Sequence, residues 1–171
     1  LETELFHSGI MPAVTPGISV SRVGGSAQVK AMKKVSGPLK LLYSQYRELQ
    51  SFAQFGSDLD ADTKNRLAMG ERIVEVLKQN KTSPVNVGCQ VAIIFAAVNN
   101  RLKDVPVSSV KDYEKELYAY MEAEHSGLLE RIAAGKYDED DQSELADAVG
   151  GFETPEGLSL AREFLTSQEN G

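Results

Sequence analysis

Few residues in this chain have the type and spacing to do chemistry. One is Arg22, which stands in the stretch GISVSRVGGSAQ, where small and β-branched residues read as a buried strand opening onto a glycine turn. A guanidinium held at a rigid strand end presents a planar fork of donors that matches phosphate. Supplied across a subunit interface, such a group stabilises charge developing on a γ-phosphate, an effect of about three to five orders of magnitude in rate. On residue types alone the plainer reading, half of a structural ion pair, stays open beside it. Binding the phosphate in cis would need glycines followed by a Lys-Ser or Lys-Thr pair, and GGSAQ has none. His7 and His125 are too far apart in sequence to suggest a metal site, and with Cys89 in an apolar segment they assemble no nucleophile and base. By itself the chain reads as a non-catalyst.

The elements that must position these groups are mostly helices. After Gly24 and Gly25 the chain passes from Pro- and Gly-punctuated, strand-like residues to long segments of helical period, which places a domain seam there: 1–25, then 26–171. Ser26 is expected to cap a helix over 26–35 that Gly37 and Pro38 end. Leu42, Tyr46, Leu49, Phe52 and Phe55 then mark one face of a second helix, stopped by Gly56. Leu67, Ile73, Val74 and Leu77 mark a third, ending near Gln79, with a loop over 80–84. The segment 87–101 is nearly all apolar, so it is the helix the others surround. Pro106 and the following serines start a helix that bends at Ser126-Gly127 and runs to Gly135. A short acidic helix follows over 138–149, broken by Gly150-Gly151, and Pro155 begins a last one to about Ser167. The expected fold is mainly α: an irregular bundle of about six or seven helices, preceded by a strand and loop remnant of an α/β nucleotide-binding domain.

Composition narrows the classes. The 171 residues are 42% hydrophobic, enough for one domain with a core. No apolar run approaches the roughly 20 residues a membrane helix needs. The net charge of -7 is uneven: residues 1–57 hold six Lys or Arg against three Asp or Glu, and residues 112–171 hold four against sixteen. So acidic a second half argues against a nucleic-acid binder, whose affinity comes mainly from phosphate neutralisation. A single cysteine forms no internal disulfide and fits a reducing compartment.

GISVSRVGGSAQ, the KAMKKV that follows from Lys30, SQYRELQSFAQFGSDLD from Ser44 and VLKQ from Val76 together resemble the α subunit of the F-type ATP synthase. The resemblance runs along essentially the whole chain, clearest through Val98, and corresponds to the end of the nucleotide-binding domain plus the C-terminal helical domain. It makes the start at Leu1 read as a fragment boundary. It implies that Arg22 is the arginine extended in trans to the γ-phosphate at the catalytic site of a neighbouring β subunit. It makes Ser19 a serine needed for activity and gives Ser21 a positioning role. Gln79 corresponds to a glutamine that contacts the adenine of ATP or ADP, bound with Mg, in the non-catalytic site. Lys81 stands where many members have a second glutamine, and an ammonium donates but cannot accept. Met11 stands where many have an arginine, and Phe6 aligns with an aromatic near the same pocket. The acidic turn Ser57-Asp58-Leu59-Asp60, otherwise a plain helix cap, corresponds to a loop facing the rotating γ shaft.

The implied whole is an α subunit alternating with β subunits in a hexameric ring around the γ stalk, with δ or a peripheral stalk as a further neighbour. It would lie on the cytoplasmic face of a bacterial plasma membrane and serve a proton-translocating ATPase. The isolated fragment is expected to be inactive and to bind ATP weakly, with no nucleic acid as partner and no direct membrane insertion. A reading from another class is a free-standing helical interaction module in which GISVSRVGG is only an exposed tail.

Overall fold

Apolar side chains recurring at nearly every fourth position dictate the longest element. Ala31, Val35, Leu39, Tyr43 and Tyr46 are buried along one side of α3 (Lys30–Ala53), which runs unbroken through Pro38. The expected stop at Gly37-Pro38 is therefore corrected, and the two helices expected over this region are one from Lys30 on. Ser26 does not cap it but lies within a separate short helix, its hydroxyl donating back to the Arg22 carbonyl at 3.0 Å. A proline inside a helix removes one hydrogen bond and costs about 3 kcal/mol. Burying a large apolar side chain recovers about 1.5–3 kcal/mol each, so the stripe on both sides of Pro38 outweighs the break. The buried face is also rotated from the expected one, leaving Phe52 65% exposed.

The computed structural model describes residues 2–16, 19–53, 59–80 and 82–169. Besides α3 these residues form α1 (Thr3–His7), α2 (Arg22–Ala27), α4 (Ala61–Leu77), α5 (Val87–Val98), a 3₁₀ turn (Val107–Ser109), α6 (Val110–Glu124), α7 (Ser126–Ala133), α8 (Glu139–Phe152) and α9 (Pro155–Glu169). The mainly-α expectation holds, and no strand occurs among the described residues. Two features expected from glycine are corrected. Gly150-Gly151 does not break α8, because Leu145, Ala148, Val149 and Phe152 hold its last turns in the core. The stretch around Arg22 is a one-and-a-half-turn helix rather than a strand end.

The centre of the bundle is α5, as its apolar run requires. Val91, Ala92 and Ala96 have no exposure, and α3, α4, α6, α7 and α8 all pack against it. Gly88 lets α7 close in: a Cβ there would stand 2.8 Å from Leu129 Cδ2 and 3.0 Å from Leu129 Cα. Cys89 is buried beside it, and that burial, with the Glu122 charge adding to it, pushes the thiol up to about 12. The bend expected near Ser126 is the junction of α6 and α7 at His125, whose amide still donates to the Met121 carbonyl at 3.0 Å. The most extensive helix pairing is α6 on α9, with Ala161 of α9 fully buried.

Polar groups fasten the ends. Asp60 accepts from the Thr63 amide at 2.6 Å and caps α4, while Ser57 and Asp58 of the same acidic turn lie outside the described residues. Asp138 and Asp141 form a capping box at the start of α8. Asp141 also accepts from Arg131 Nε at 2.8 Å, and Arg131 pairs with Glu144, so α7 is clamped to α8. The hydrogen bond from that arginine, with the donors at Asp138 adding to it, holds the Asp141 carboxyl below its ordinary value against the burial that works to raise it.

Candidate functional site

The C-terminus of α4 is where the sequence-derived binding residues meet. A helix ends with carbonyls that have no partner of its own, and here the chain beyond Leu77 is fixed by groups from three directions. The Lys78 amide donates back to the Glu75 carbonyl at 3.2 Å. The Lys78 carbonyl accepts from Lys111 Nζ of α6 at 2.6 Å. The Gln79 amide donates to the Met11 carbonyl at 2.9 Å, and the Gln79 side chain donates through Nε2 to the Ser83 carbonyl at 3.3 Å.

Residues 2–14 form the second wall. Leu5 and Ala13 are buried, the Glu2 amide donates to the Ala13 carbonyl at 2.9 Å, and Ile10 closes back on Leu5, so α1 is folded into a loop with a fixed end. That loop carries Phe6 and Met11 to Gln79. A hollow of about 670 Å³ lies between them, lined by Phe6, Met11, Pro12, Gln79, Asn80 and Pro84. Its walls are apolar on the Phe6, Met11 and Pro12 side and polar on the side of Gln79, Asn80 and Thr82, a mixture of apolar surface with donors and acceptors that suits a flat heterocyclic base. Three positions singled out in the sequence, Phe6, Met11 and Gln79, are thus neighbours in space. Lys81, the fourth, lies outside the described residues.

On the other side of Gln79 a groove of about 830 Å³ runs between α4 and α6. Its floor is a hydrogen-bonded series: Lys111 Nζ donates to Glu114 Oε2 at 2.7 Å, and Tyr118 donates its hydroxyl to Glu114 Oε1 at 2.8 Å. Burial first, and then the Glu114 carboxylate, push the Tyr118 phenol upward, so it stays a donor at any physiological pH. Sequence reasoning missed this trio, although Lys111, Glu114 and Tyr118 follow helical spacing along one side of α6.

Arg22 and Ser19 stand apart from this site. Both are exposed, and neither lines the two hollows just described. Arg22 is the first residue of α2, which buries no side chain. Ser21 caps it, accepting from the Gly24 amide at 2.9 Å, and is a helix cap rather than a strand neighbour of Arg22. The strand expectation fails for a physical reason: no described strand offers the backbone a partner, whereas a capped turn satisfies it locally. No described carboxylate pairs with Arg22, so the ion-pair reading finds no partner among the described residues.

Residues 28–152 match the family described as ATP synthase alpha/beta chain, C terminal domain, and the chain belongs to that family. Over 132 residues it is 58% identical to the ATP synthase subunit alpha, sodium ion specific, of Acetobacterium woodii. That match covers 77% of this chain and 26% of the relative, so the chain spans about a quarter of the length of the curated relative it matches.

Proposed function

We propose that this chain is the C-terminal helical part of an F-type ATP synthase α subunit, working within a rotary enzyme that couples ATP synthesis or hydrolysis to ion transport. The observation that carries the proposal is the convergence of Phe6, Met11 and Gln79 on one hollow in a chain of this family. In this reading the hollow receives the adenine of a non-catalytic ATP or ADP. Gln79 meets the polar edge of the base, and Phe6 and Met11 cover its apolar surface. The phosphates and their Mg are held by parts of the enzyme other than this chain. Among the described residues no group of three or more His, Cys, Asp or Glu could hold a cation, and Glu75 and Glu114, the carboxylates nearest Gln79, are paired with lysines.

Arg22 acts elsewhere, in trans. An arginine on the first turn of a helix sits at the positive end of the backbone dipoles, where a cation gains nothing locally. Exposed and without a described carboxylate partner, it is free to meet the γ-phosphate in the catalytic site of an adjacent β subunit and to stabilise the charge that grows there. Ser19, three residues earlier, sits on the same exposed approach. Residues 1–25 belong with the nucleotide-binding domain of the subunit and 26–171 with its helical domain. The turn ending in Leu59 and Asp60 faces the γ stalk. No described helix is long and apolar enough to cross a membrane, and ion passage is assigned to other subunits of a complex peripheral to the bilayer.

The reading is tested by Gln79→Ala in the full-length subunit, assembled in its ring. Loss of one net hydrogen bond should weaken non-catalytic ATP binding by roughly fivefold, measured by titration with a fluorescent ATP analogue. An unchanged affinity would remove Gln79 from the site.

A further inference from the structure

We infer that Lys111, on α6, is a positioning residue that holds Gln79 against its nucleotide, so that the α4–α6 groove governs occupancy of the base hollow. The inference rests on the nucleotide reading of Gln79 given above.

Three observations carry it. Lys111 reaches across from α6 to the carbonyl of Lys78, the residue directly before Gln79, at 2.6 Å. Among the described residues this is the shortest contact from another element onto the segment that leaves α4, and it is charge-assisted. A cationic donor at a helix C-terminus is favoured both by the free carbonyls there and by the dipole. Second, Lys111 is itself fixed: Glu114 takes its ammonium at 2.7 Å and is held in turn by the Tyr118 hydroxyl. The Lys111 side chain is 41% exposed, but its Glu114 partner is only 13% exposed, so the ammonium is held by a partly desolvated counter-charge. Third, the hydrogen bonds that Gln79 itself makes among the described residues, to Met11 and to Ser83, are both neutral. Neutral bonds are about half as strong as charge-assisted ones. The consequence is a division of labour: Met11 and Ser83 aim the residue, and Lys111 anchors the backbone from which it is aimed.

A cation at this point fits no better-supported use. Lys111 points at a backbone carbonyl and a carboxylate, both acceptors of its charge, and so it is not offered to a ligand phosphate. The titratable groups that line the groove with Lys111 are Glu114, Lys115 and Tyr118 of its own helix and Lys78 and Glu75 of α4. Of these, Glu75 is already paired with Lys78 at 2.6 Å.

The test uses the full-length subunit in its assembled ring with Lys111→Met, which keeps the aliphatic stem, and Lys111→Arg, which restores a cationic donor. Two quantities are read: amide exchange of the peptide covering 78–85 without nucleotide, and non-catalytic affinity for a fluorescent ATP analogue. Lys111→Met should speed exchange of that peptide alone, leaving the α5 peptide 87–98 as protected as before, and weaken the analogue roughly tenfold. Lys111→Arg should bring both back to within about threefold. Unchanged exchange in Lys111→Met, or exchange that rises equally across α5, would overturn the anchoring role. Faster local exchange with unchanged affinity, in a ring where Gln79→Ala does weaken the analogue, would overturn the link to the nucleotide. If Gln79→Ala has no effect either, the base site itself is refuted and this inference falls with it.

Discussion

The helices around α5 and the short helix α2 are built on opposite terms. Around α5, side chains from five other helices exclude water, and residues such as Leu117, Met121, Ile132 and Phe152 have no exposure. In α2 nothing is buried; Val20, just ahead of it, is 91% exposed and Val23 within it 81%. The first region owes its shape to its own packing. The second has only a Ser21 cap and a few local hydrogen bonds, and a helix of this length is marginal in water. The lesson is that the bundle is a scaffold able to specify itself, while Arg22 sits on a segment whose final setting depends on what packs against it.

The most forceful way to break this contrast is to open a cavity in the scaffold. Phe152→Ala removes a fully buried ring that stacks edge-on against Tyr113 at 5.1 Å between centroids. A loss of about 3–5 kcal/mol is expected, read from urea unfolding. A weaker lever is the α7–α8 clamp. Because Arg131 and the capping box keep the folded Asp141 carboxyl below its ordinary 3.8, that carboxyl adds stability above the unfolded value, and the gain disappears as pH falls through the folded one. Asp141→Asn should therefore lower Tm at pH 7 by roughly 3 °C, and the gap to wild type should close as the pH drops below the ordinary carboxylate range, followed by calorimetry. Smallest of all, Val23→Ser in α2 should change stability by less than about 0.5 kcal/mol. A larger loss would show that α2 is packed on the bundle after all and that the contrast is false.

Much of the scaffold was legible because helical period is written in side-chain type. The apolar segment 87–101 announced the central helix, which ends three residues sooner at Val98, and Pro155 announced α9 at its first position. Local punctuation misled where tertiary packing was stronger. Pro38 and Gly150-Gly151 carry break signals worth a few kcal/mol at most, whereas the buried stripes that flank them bind α3 and α8 to the core. Val20 and Val23 misled in the other direction: β-branched residues read as strand, but a strand needs a neighbour to receive its hydrogen bonds. Of the candidate site, Gln79, Met11 and Phe6 were visible through the family resemblance, and the structure adds that they share one hollow. The spacing of Lys111 from Glu114 was there to be read, but its bond to the Lys78 carbonyl was not, since a backbone acceptor leaves no mark on the sequence.

The central claim is that this chain works in an ATP synthase ring and lends Arg22 to a neighbour's catalytic site. Steady-state ATPase of the assembled enzyme with Arg22→Ala tests it most directly. The account predicts a fall of about a thousandfold or more in turnover, with nucleotide binding at equilibrium largely retained. Turnover equal to wild type would contradict it.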